Sequence, residues 1–472
     1  MEKFDFIIIG GGSAAVSAAL KAGEFGARIA LVEAGDVGGT CANISCVPTK
    51  NLLRDGEVVH MAKQKNLRSI KGAQSVSLNF AQAVQEAGEV VEVLRQQKYD
   101  GRLRGLRRFF QFHGRAVFTG SHQIEVNGVE LFGTKFLIAT GSSTSIPEIS
   151  GLKKAGYLTH AEIMGLTDAP SSLIIIGAGP LGLEFAQMFV HFGTRVRVIQ
   201  RGPRILPRVE PEIAEAAAGF LEEDGIVIHT DEAVLSVDRA DGDRIVTVKT
   251  IGLEQKYRAQ EVMMAVGRVP NTAGLGLEEI GVKVDKRGAI IVNDEFATSL
   301  PHIYAAGDVC GEPMLASVAI MEGRVAAGNA MGGERRQIDY DAIPSCTFTH
   351  PEVAQVGLTE SAAVERGHQV EARTLSFGQV PRAQILRDTR GLIKMVAEKA
   401  TGRILGCAIV SPHAGDLINE AGIVIKCKMS VDEMRDAVHA YPTLSEALVM
   451  VADEFARPQA APAPAKKKRK AA

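Results

Sequence analysis

Two stretches of this chain, far apart along it, carry the same strand, turn and helix signature. The first is Phe6-Ile7-Ile8-Ile9 running into Gly10-Gly11-Gly12-Ser13-Ala14-Ala15; the second is Leu173-Ile174-Ile175-Ile176 running into Gly177-Ala178-Gly179-Pro180-Leu181-Gly182. Each reads as a buried apolar strand, a glycine turn that lets backbone approach closely, and a helix that begins among small residues. Such a unit needs a parallel sheet with helices on its faces, so two of them commit the chain to an α/β fold with two Rossmann-like dinucleotide-binding domains. The helix N-terminus after each turn suits a pyrophosphate, because its first N–H groups have no intrahelical partner. With 472 residues the chain has room for about three domains.

The residue ending the next strand separates the two copies. In the first copy Gly10, Gly12 and Ala15 form the turn, and Glu33 follows Arg28 to Val32, where a carboxylate accepts the adenosine ribose hydroxyls. In the second copy Gly177, Gly179 and Gly182 form the turn, and the same offset lands on Gln200, followed by Arg201 and, further on, Arg204. A carboxylate repels a 2′-phosphate, whereas arginine binds one bidentately, so the second site is expected to prefer NADPH over NADH. Arg201 and Arg204 also fit a solvated loop.

Just past the first fingerprint comes Gly38-Gly39-Thr40-Cys41-Ala42-Asn43-Ile44-Ser45-Cys46-Val47-Pro48-Thr49-Lys50. On a regular helix Cys41 and Cys46 would stand about 140° apart with a rise of ~7.5 Å. A disulfide wants Cα atoms within roughly 4.4 to 6.8 Å, so the segment between them must bend if the sulfurs are to meet. Pro48 fits a first helical turn and places Cys46 at a helix N-terminus, where the dipole favours a thiolate. Taken alone, the two residues equally fit a structural disulfide or two buried thiols.

Composition narrows the class. The net charge of −2 offers no general attraction to nucleic acid or an anionic membrane, and no apolar run approaches the roughly 18 residues of a membrane span. Met1-Glu2-Lys3-Phe4-Asp5 has no cationic leader character. Six cysteines in a chain of this length suit a reducing compartment, and a cytoplasmic location is expected.

Two dinucleotide sites beside a cysteine pair suggest an electron path from nicotinamide through a flavin to sulfur, chemistry that no side chain supplies alone. In these features the chain resembles the pyridine nucleotide-disulfide oxidoreductases, from about Phe4 to Glu454. The resemblance implies FAD in the first site, NADPH or NADH as the substrate of the second, and an α+β C-terminal dimerisation domain. It implies that Cys41 and Cys46 are a redox-active disulfide, with Cys41 as the interchange thiol and Cys46 facing the flavin. Lys50 and Glu184 match a pair the family keeps beside the flavin, and Gly39 and Thr40 belong to the same cofactor contact. Ile303-Tyr304-Ala305-Ala306-Gly307-Asp308 is similar to the second FAD motif, with Asp308 on the ribityl chain. Ala139-Thr140-Gly141 and Val266-Gly267-Arg268-Val269-Pro270-Asn271 are similar to the segments crossing between the nucleotide domains. Ile343 to Pro351 resembles the opening of the dimerisation domain. Lys50 and Glu184 also fit ordinary helix-surface residues, and Asp308 a helix cap.

The implied organisation is an FAD domain from residues 1–150 and 271–339, an NAD(P)H domain over 151–270, a dimerisation domain over 340–455, and a disordered basic tail over 456–472 whose partner is unknown. A homodimer with the active site shared across the interface is implied, and no membrane partner.

The pattern departs from the wider family at points that bear on the acceptor. Ser45 stands where glycine is usual, a cost if that position needs a positive φ. In His439-Ala440-Tyr441-Pro442-Thr443-Leu444-Ser445-Glu446, Tyr441 replaces the acid/base histidine of the disulfide reductases, leaving Glu446 without its imidazole; His439 is expected to point elsewhere. A phenol of pKa ≈ 10 shuttles protons poorly at neutral pH. A tyrosine there, with Val380 to Ala383 and Asp388 to Gly391, resembles the mercuric reductase branch. That implies transient Hg(II) at Cys41 and Cys46 with no structural metal; dihydrolipoamide dehydrogenase or another disulfide reductase is the alternative. No cysteine follows Cys427, so delivery of metal by a terminal cysteine pair is not expected. Cys310, Cys346, Cys407 and Cys427 are expected to be small buried hydrophobes.

Overall fold

The computed structural model describes residues 2–64, 69, 71–72 and 75–456. Of the basic tail expected over 456–472, Ala456 ends a 3-10 turn, Glu454–Ala456, and 457–472 lie outside the described residues.

The first sheet is built from β1 (Glu2–Ile9), β2 (Ile29–Glu33), β3 (Phe109–His113), the hairpin of β4 (Ala116–Gly120) and β5 (Gln123–Val126), and β6 (Val129–Ile138). β1 lies between β2 and β6, parallel to both, with β3 beyond β2. Burial on both faces explains why Phe6-Ile7-Ile8-Ile9 shows no polar alternation. β6 serves two further partners: Val129 to Phe132 pairs antiparallel with β5, and Phe136 to Ile138 pairs in parallel with Ile303–Ala305. The sheet is thus completed by a strand from beyond the second fingerprint. Helix α1 (Ser13–Glu24) covers one face and packs on the helix Ala316–Ala330 so closely that a Cβ at Gly323 would lie 2.1 Å from the Ala14 carbonyl.

The second unit repeats the design. Val227–His229, Arg195–Ile199, Ser172–Ile176 and Glu261–Met264 form an all-parallel sheet in that order, beside a three-stranded antiparallel sheet over residues 233–259. The duplication extends to atomic detail. Gly10 and Gly177 both have φ +110°, and a Cβ on either would strike a backbone carbonyl, that of Ala139 at 2.3 Å or Ala265 at 2.4 Å. Only glycine fits at either place. The chain passes between the units through a two-stranded ribbon, Ser142–Thr144 antiparallel to Arg268–Pro270.

The third unit is α+β. Its five antiparallel strands run in the order Ser345–Thr347, Glu352–Gly357, Ile404–Ser411, Leu392–Glu398 and Val370–Ser376. The helices Ala414–Lys426 and Glu446–Asp453 close a core that includes Phe377, Ile393, Ile409, Ile418 and Val451. Buried Lys394 fastens this unit to the second one, its Nζ lying 3.1 Å from Glu210, 3.0 Å from Glu212 and 2.7 Å from Glu360.

Among the described residues no helix is long and apolar enough to cross a membrane. Cys407 is buried as expected, and Cys310 and Cys346 are partly so. Cys427 departs from expectation: it is exposed, because it caps the outer end of the helix Ala414–Lys426.

Candidate active site

The bend required between the two cysteines is present. Cys41 lies in the short helix α2 (Gly39–Asn43), and Cys46 is the first residue of α3 (Cys46–Lys63). The break is Ile44-Ser45, with φ −137°, ψ 3° and φ −132°, ψ −98°. Ser45 therefore does not occupy the left-handed region, and the strain expected of serine there does not arise. Both cysteines are free thiols whose sulfurs are within hydrogen-bonding reach. The Cys41 thiol donates to Cys46 and, with the Lys50 charge nearby, holds Cys46 down at about 7 against burial and Glu184. The same bond, with burial, pushes Cys41 well above the ordinary thiol range. Above about pH 7 the pair therefore keeps its remaining proton on Cys41.

Lys50 follows Cys46 one turn along α3. Its Nζ is 2.6 Å from Oε2 of Glu184 and 4.8 Å from the centre of the Phe348 ring. Glu184 is buried in the helix Pro180–His191, and its other oxygen accepts the Phe348 N–H at 2.9 Å. The surface alternatives for these two residues do not hold. One carboxylate joins the redox helix, the second unit and the third.

The dinucleotide cradles fit the cofactors they imply. A Cβ on Gly12 would find its nearest neighbour, the Gly39 Cα, 4.0 Å away, and one on Gly179 nothing within 4 Å. Neither helix has a side-chain N-cap, so open space faces unpartnered N–H groups in both copies. Ala15 and Gly182 lie in the first turns of these helices, Ala15 wholly buried. Glu33 lies against Gly11, with Oε1 accepting the Gly35 N–H at 2.7 Å. Gln200 takes the matching place in the second copy, accepting from the Ala178 N–H at 3.3 Å. Arg201 is exposed, and Arg204 donates to the Pro207 carbonyl at 2.9 Å. Gly39 and Thr40 open α2 beside Gly12, and Gly141 and Gly267 flank the crossing ribbon with open space above each. Asp308 accepts from the Ser142 hydroxyl and lies 3.7 Å from Nε of Arg268; its side chain caps no helix.

Three residues reach this site without having been singled out as site residues in the sequence. Tyr99 occupies a π-helical turn, Gln96–Asp100, and its hydroxyl lies 3.4 Å from Ser13. Burial raises its pKa, and the negative charge that Cys46 takes on raises it further. The Arg268 guanidinium donates to both the hydroxyl and the carbonyl of Ser142 and sits in the field of the cysteine pair. Glu322, buried, accepts from the Gly307 N–H and the Tyr340 hydroxyl, both at 2.7 Å, and so fixes the Gly307-Asp308 turn. A π-helical insertion has no sequence signature, whereas Arg268 lies inside the recognisable crossing segment.

The C-terminal motif lies on the surface. Tyr441 is 74% exposed. Glu446 opens its helix and accepts the Thr443 N–H at 2.9 Å, and His439 is held by Glu420 at 2.6 Å.

Residues 4–323 match the family described as pyridine nucleotide-disulphide oxidoreductase, and residues 343–452 match the dimerisation domain of that family. The chain belongs to the pyridine nucleotide-disulphide oxidoreductases. Membership implies use of a flavin and of NAD(P)H. Among curated relatives, a mercuric reductase of Lysinibacillus sphaericus is 39% identical over 454 residues, spanning 96% of this chain and 83% of the relative. A dihydrolipoyl dehydrogenase of Thermus scotoductus is 36% identical, spanning 96% of this chain and 97% of the relative. Among solved structures, the Cu(II) complex of the HOCl-induced flavoprotein disulfide reductase RclA from Escherichia coli aligns with a TM-score of 0.86 at 30% identity, covering 96% of this chain and all of that one.

Proposed function

We propose that this family member is an FAD-dependent NAD(P)H oxidoreductase that reduces a thiolate-bound soft metal ion, Hg(II), at Cys41 and Cys46. FAD would be held by Gly10, Gly12, Ala15, Glu33, Gly39, Thr40, Lys50, Gly141, Gly307 and Asp308. The nicotinamide nucleotide, NADPH in preference to NADH, would be held by Gly177, Gly179, Gly182, Gln200, Arg201 and Gly267. When bound, the flavin accepts a hydride and relays the electron pair toward sulfur. Cys46 waits as thiolate at its helix start, and Cys41 gives up its proton as it takes the metal. Lys50 and Glu184 orient the end of α3 that carries Cys46. Two thiolates suit a soft cation. Two electrons convert Hg(II) to Hg(0) while NADPH becomes NADP⁺ and a proton, so no leaving group needs protonation.

The observation that carries this reading is the C-terminal motif. Tyr441 stands exposed, Glu446 is engaged by Thr443, and His439 is engaged by Glu420. The motif's one imidazole, His439, is paired with Glu420 and not with Glu446, so Glu446 orients no imidazole at the place of Tyr441, where a disulfide acceptor would need its acid. The mercuric reductase relatives support the same acceptor. In a homodimer, Tyr441 of one copy would close over the thiols of the other; exposed Ile423, Val438 and Tyr441 supply apolar surface for that contact. A cytoplasmic setting would keep the thiols reduced. The second reading, a disulfide reductase, rests on the Thermus relative.

NADPH consumption should be followed with Hg(II) in excess low-molecular-weight thiol, with lipoamide and with glutathione disulfide. Turnover with Hg(II) is expected to dominate; faster turnover with lipoamide would replace this proposal with the second reading.

A further inference from the structure

Helix α3 carries a second group of ionisable side chains far from the thiols. His60, near its C-terminal end, stacks on His191, which ends the helix Pro180–His191, with ring centres 4.3 Å apart and planes at 25°. Both rings turn Nε2 toward Asp224, just past the helix Pro211–Glu223. The Nε2 of His60 lies 3.5 Å from Oδ1, and that of His191 lies 3.6 Å from Oδ2. These separations are too long for good hydrogen bonds. The His191 side chain is only 3% exposed, and its Nε2 has no hydrogen-bond partner among the described residues. A buried polar atom in that condition calls for an explanation.

The spacing provides one. The three donor atoms all lie within 4.8 Å of one another. A tetrahedral ion with bonds of about 2.0 to 2.1 Å has ligand-to-ligand edges of about 3.4 Å; each imidazole nitrogen lies near that distance from one oxygen of the carboxylate, His60 from Oδ1 and His191 from Oδ2, so the carboxylate can offer either oxygen with a small shift. Asp224 is also fixed from behind, by Nε2 of Gln187 at 2.7 Å and by Arg390 at 3.1 Å, as ligating carboxylates commonly are. The Arg390 charge is shared with Asp388, at 3.1 Å, and Asp388 in turn meets His350 at 3.0 Å. His60 remains partly exposed, which gives an ion a way in. Two imidazoles and one carboxylate favour a borderline ion such as Zn(II) over Mg(II) or Ca(II).

We propose that His60, His191 and Asp224 form a binding site for a borderline divalent transition-metal ion of the Zn(II) class, with water as the fourth ligand. The ion would pin the far end of the redox helix to two segments of the nucleotide-binding unit. The proposal does not depend on the identity of the electron acceptor.

The test uses the full-length, flavin-loaded protein with Cys41→Ser, Cys46→Ser and Cys427→Ser, so that the redox and exposed thiols bind no metal. Zn(II) is titrated against a chromophoric chelator, and its effect on thermal unfolding is recorded. One Zn(II) per chain and a raised Tm are expected, with affinity falling at least about tenfold in Asp224→Asn and in His60→Gln. His122→Ala, which breaks a separate stacked pair with His302 at 4.0 Å, should leave affinity unchanged. His191→Ala should abolish binding; if it does not fold, the Asp224 and His60 variants decide the matter. Absence of stoichiometric binding in the parent, or binding unaffected by both Asp224→Asn and His60→Gln, would overturn the proposal.

Discussion

The ammonium of Lys50 and a carboxylate oxygen of Glu184 meet 2.6 Å apart, although they belong to helices from different nucleotide-binding units. Their charges act on Cys46 in opposite senses, Lys50 favouring its thiolate and Glu184 opposing it. Lys50→Met should therefore raise the Cys46 pKa above about 7, and Glu184→Gln should lower it. Ultraviolet titration of the thiolate in the reduced protein reads both; shifts of the same sign would refute the electrostatic account. Lys50→Met should also destabilise the fold by about 2 kcal/mol, less than for a fully buried pair because Lys50 is about a third exposed.

Tyrosines at 99 and 441 are expected to act on acceptor turnover. Tyr99→Phe removes a hydroxyl that lies by Ser13 in the field of the thiols, and Tyr441→Phe removes one from the exposed C-terminal motif. Each should slow Hg(II) turnover by about tenfold while NADPH-driven bleaching of the flavin proceeds at its original rate. Stopped-flow absorbance separates the two half-reactions, and slowed bleaching in either variant would assign that tyrosine a different role.

Gln200 is the position at which nucleotide choice can be reversed. Its amide accepts from Ala178 in the place that Glu33 takes in the first copy, with Arg201 exposed beside it. Gln200→Glu adds a carboxylate where a 2′-phosphate would lie, so the ratio of kcat/KM for NADPH to that for NADH should fall by at least about tenfold. An unchanged ratio would show that the phosphate is bound elsewhere.

His350 ties stability to pH. Burial alone would depress its pKa, but the carboxylates of Asp388 at 3.0 Å and Glu57 at 3.2 Å outweigh it and raise the imidazole to about 9. A raised folded-state pKa means that the stabilisation is complete below the ordinary histidine value of about 6.5 and is lost as pH climbs through about 9. The network should supply up to about 3 kcal/mol over that window, counted once for all its members. Urea midpoints of the parent should fall relative to those of His350→Gln as pH rises through the window; parallel curves would remove His350 as the cause.

Local features were legible in the chain and long-range ones were not. The strands before Gly10 and Gly177, the helix start at Cys46 and the need for a bend before it all follow from neighbouring residues. Ser45 would cost energy only at a positive φ, and that condition is not met, because the bend is shared between Ile44 and Ser45 at negative φ. Tyr99 and Glu322 enter the site only through tertiary packing, and neither has a neighbouring motif to mark it. His439 could be placed away from the role of Tyr441 by spacing alone, but its bond to Glu420 joins a loop to the helix Ala414–Lys426, a contact that sequence could not foresee.

Because Ile303–Ala305 fills its slot beside β6 only after the inserted nucleotide unit has been made, the earliest part of the protein to leave a ribosome cannot finish its own sheet. That nascent sheet edge must wait for the insertion to pass, which makes it the place where a chaperone would have most to protect.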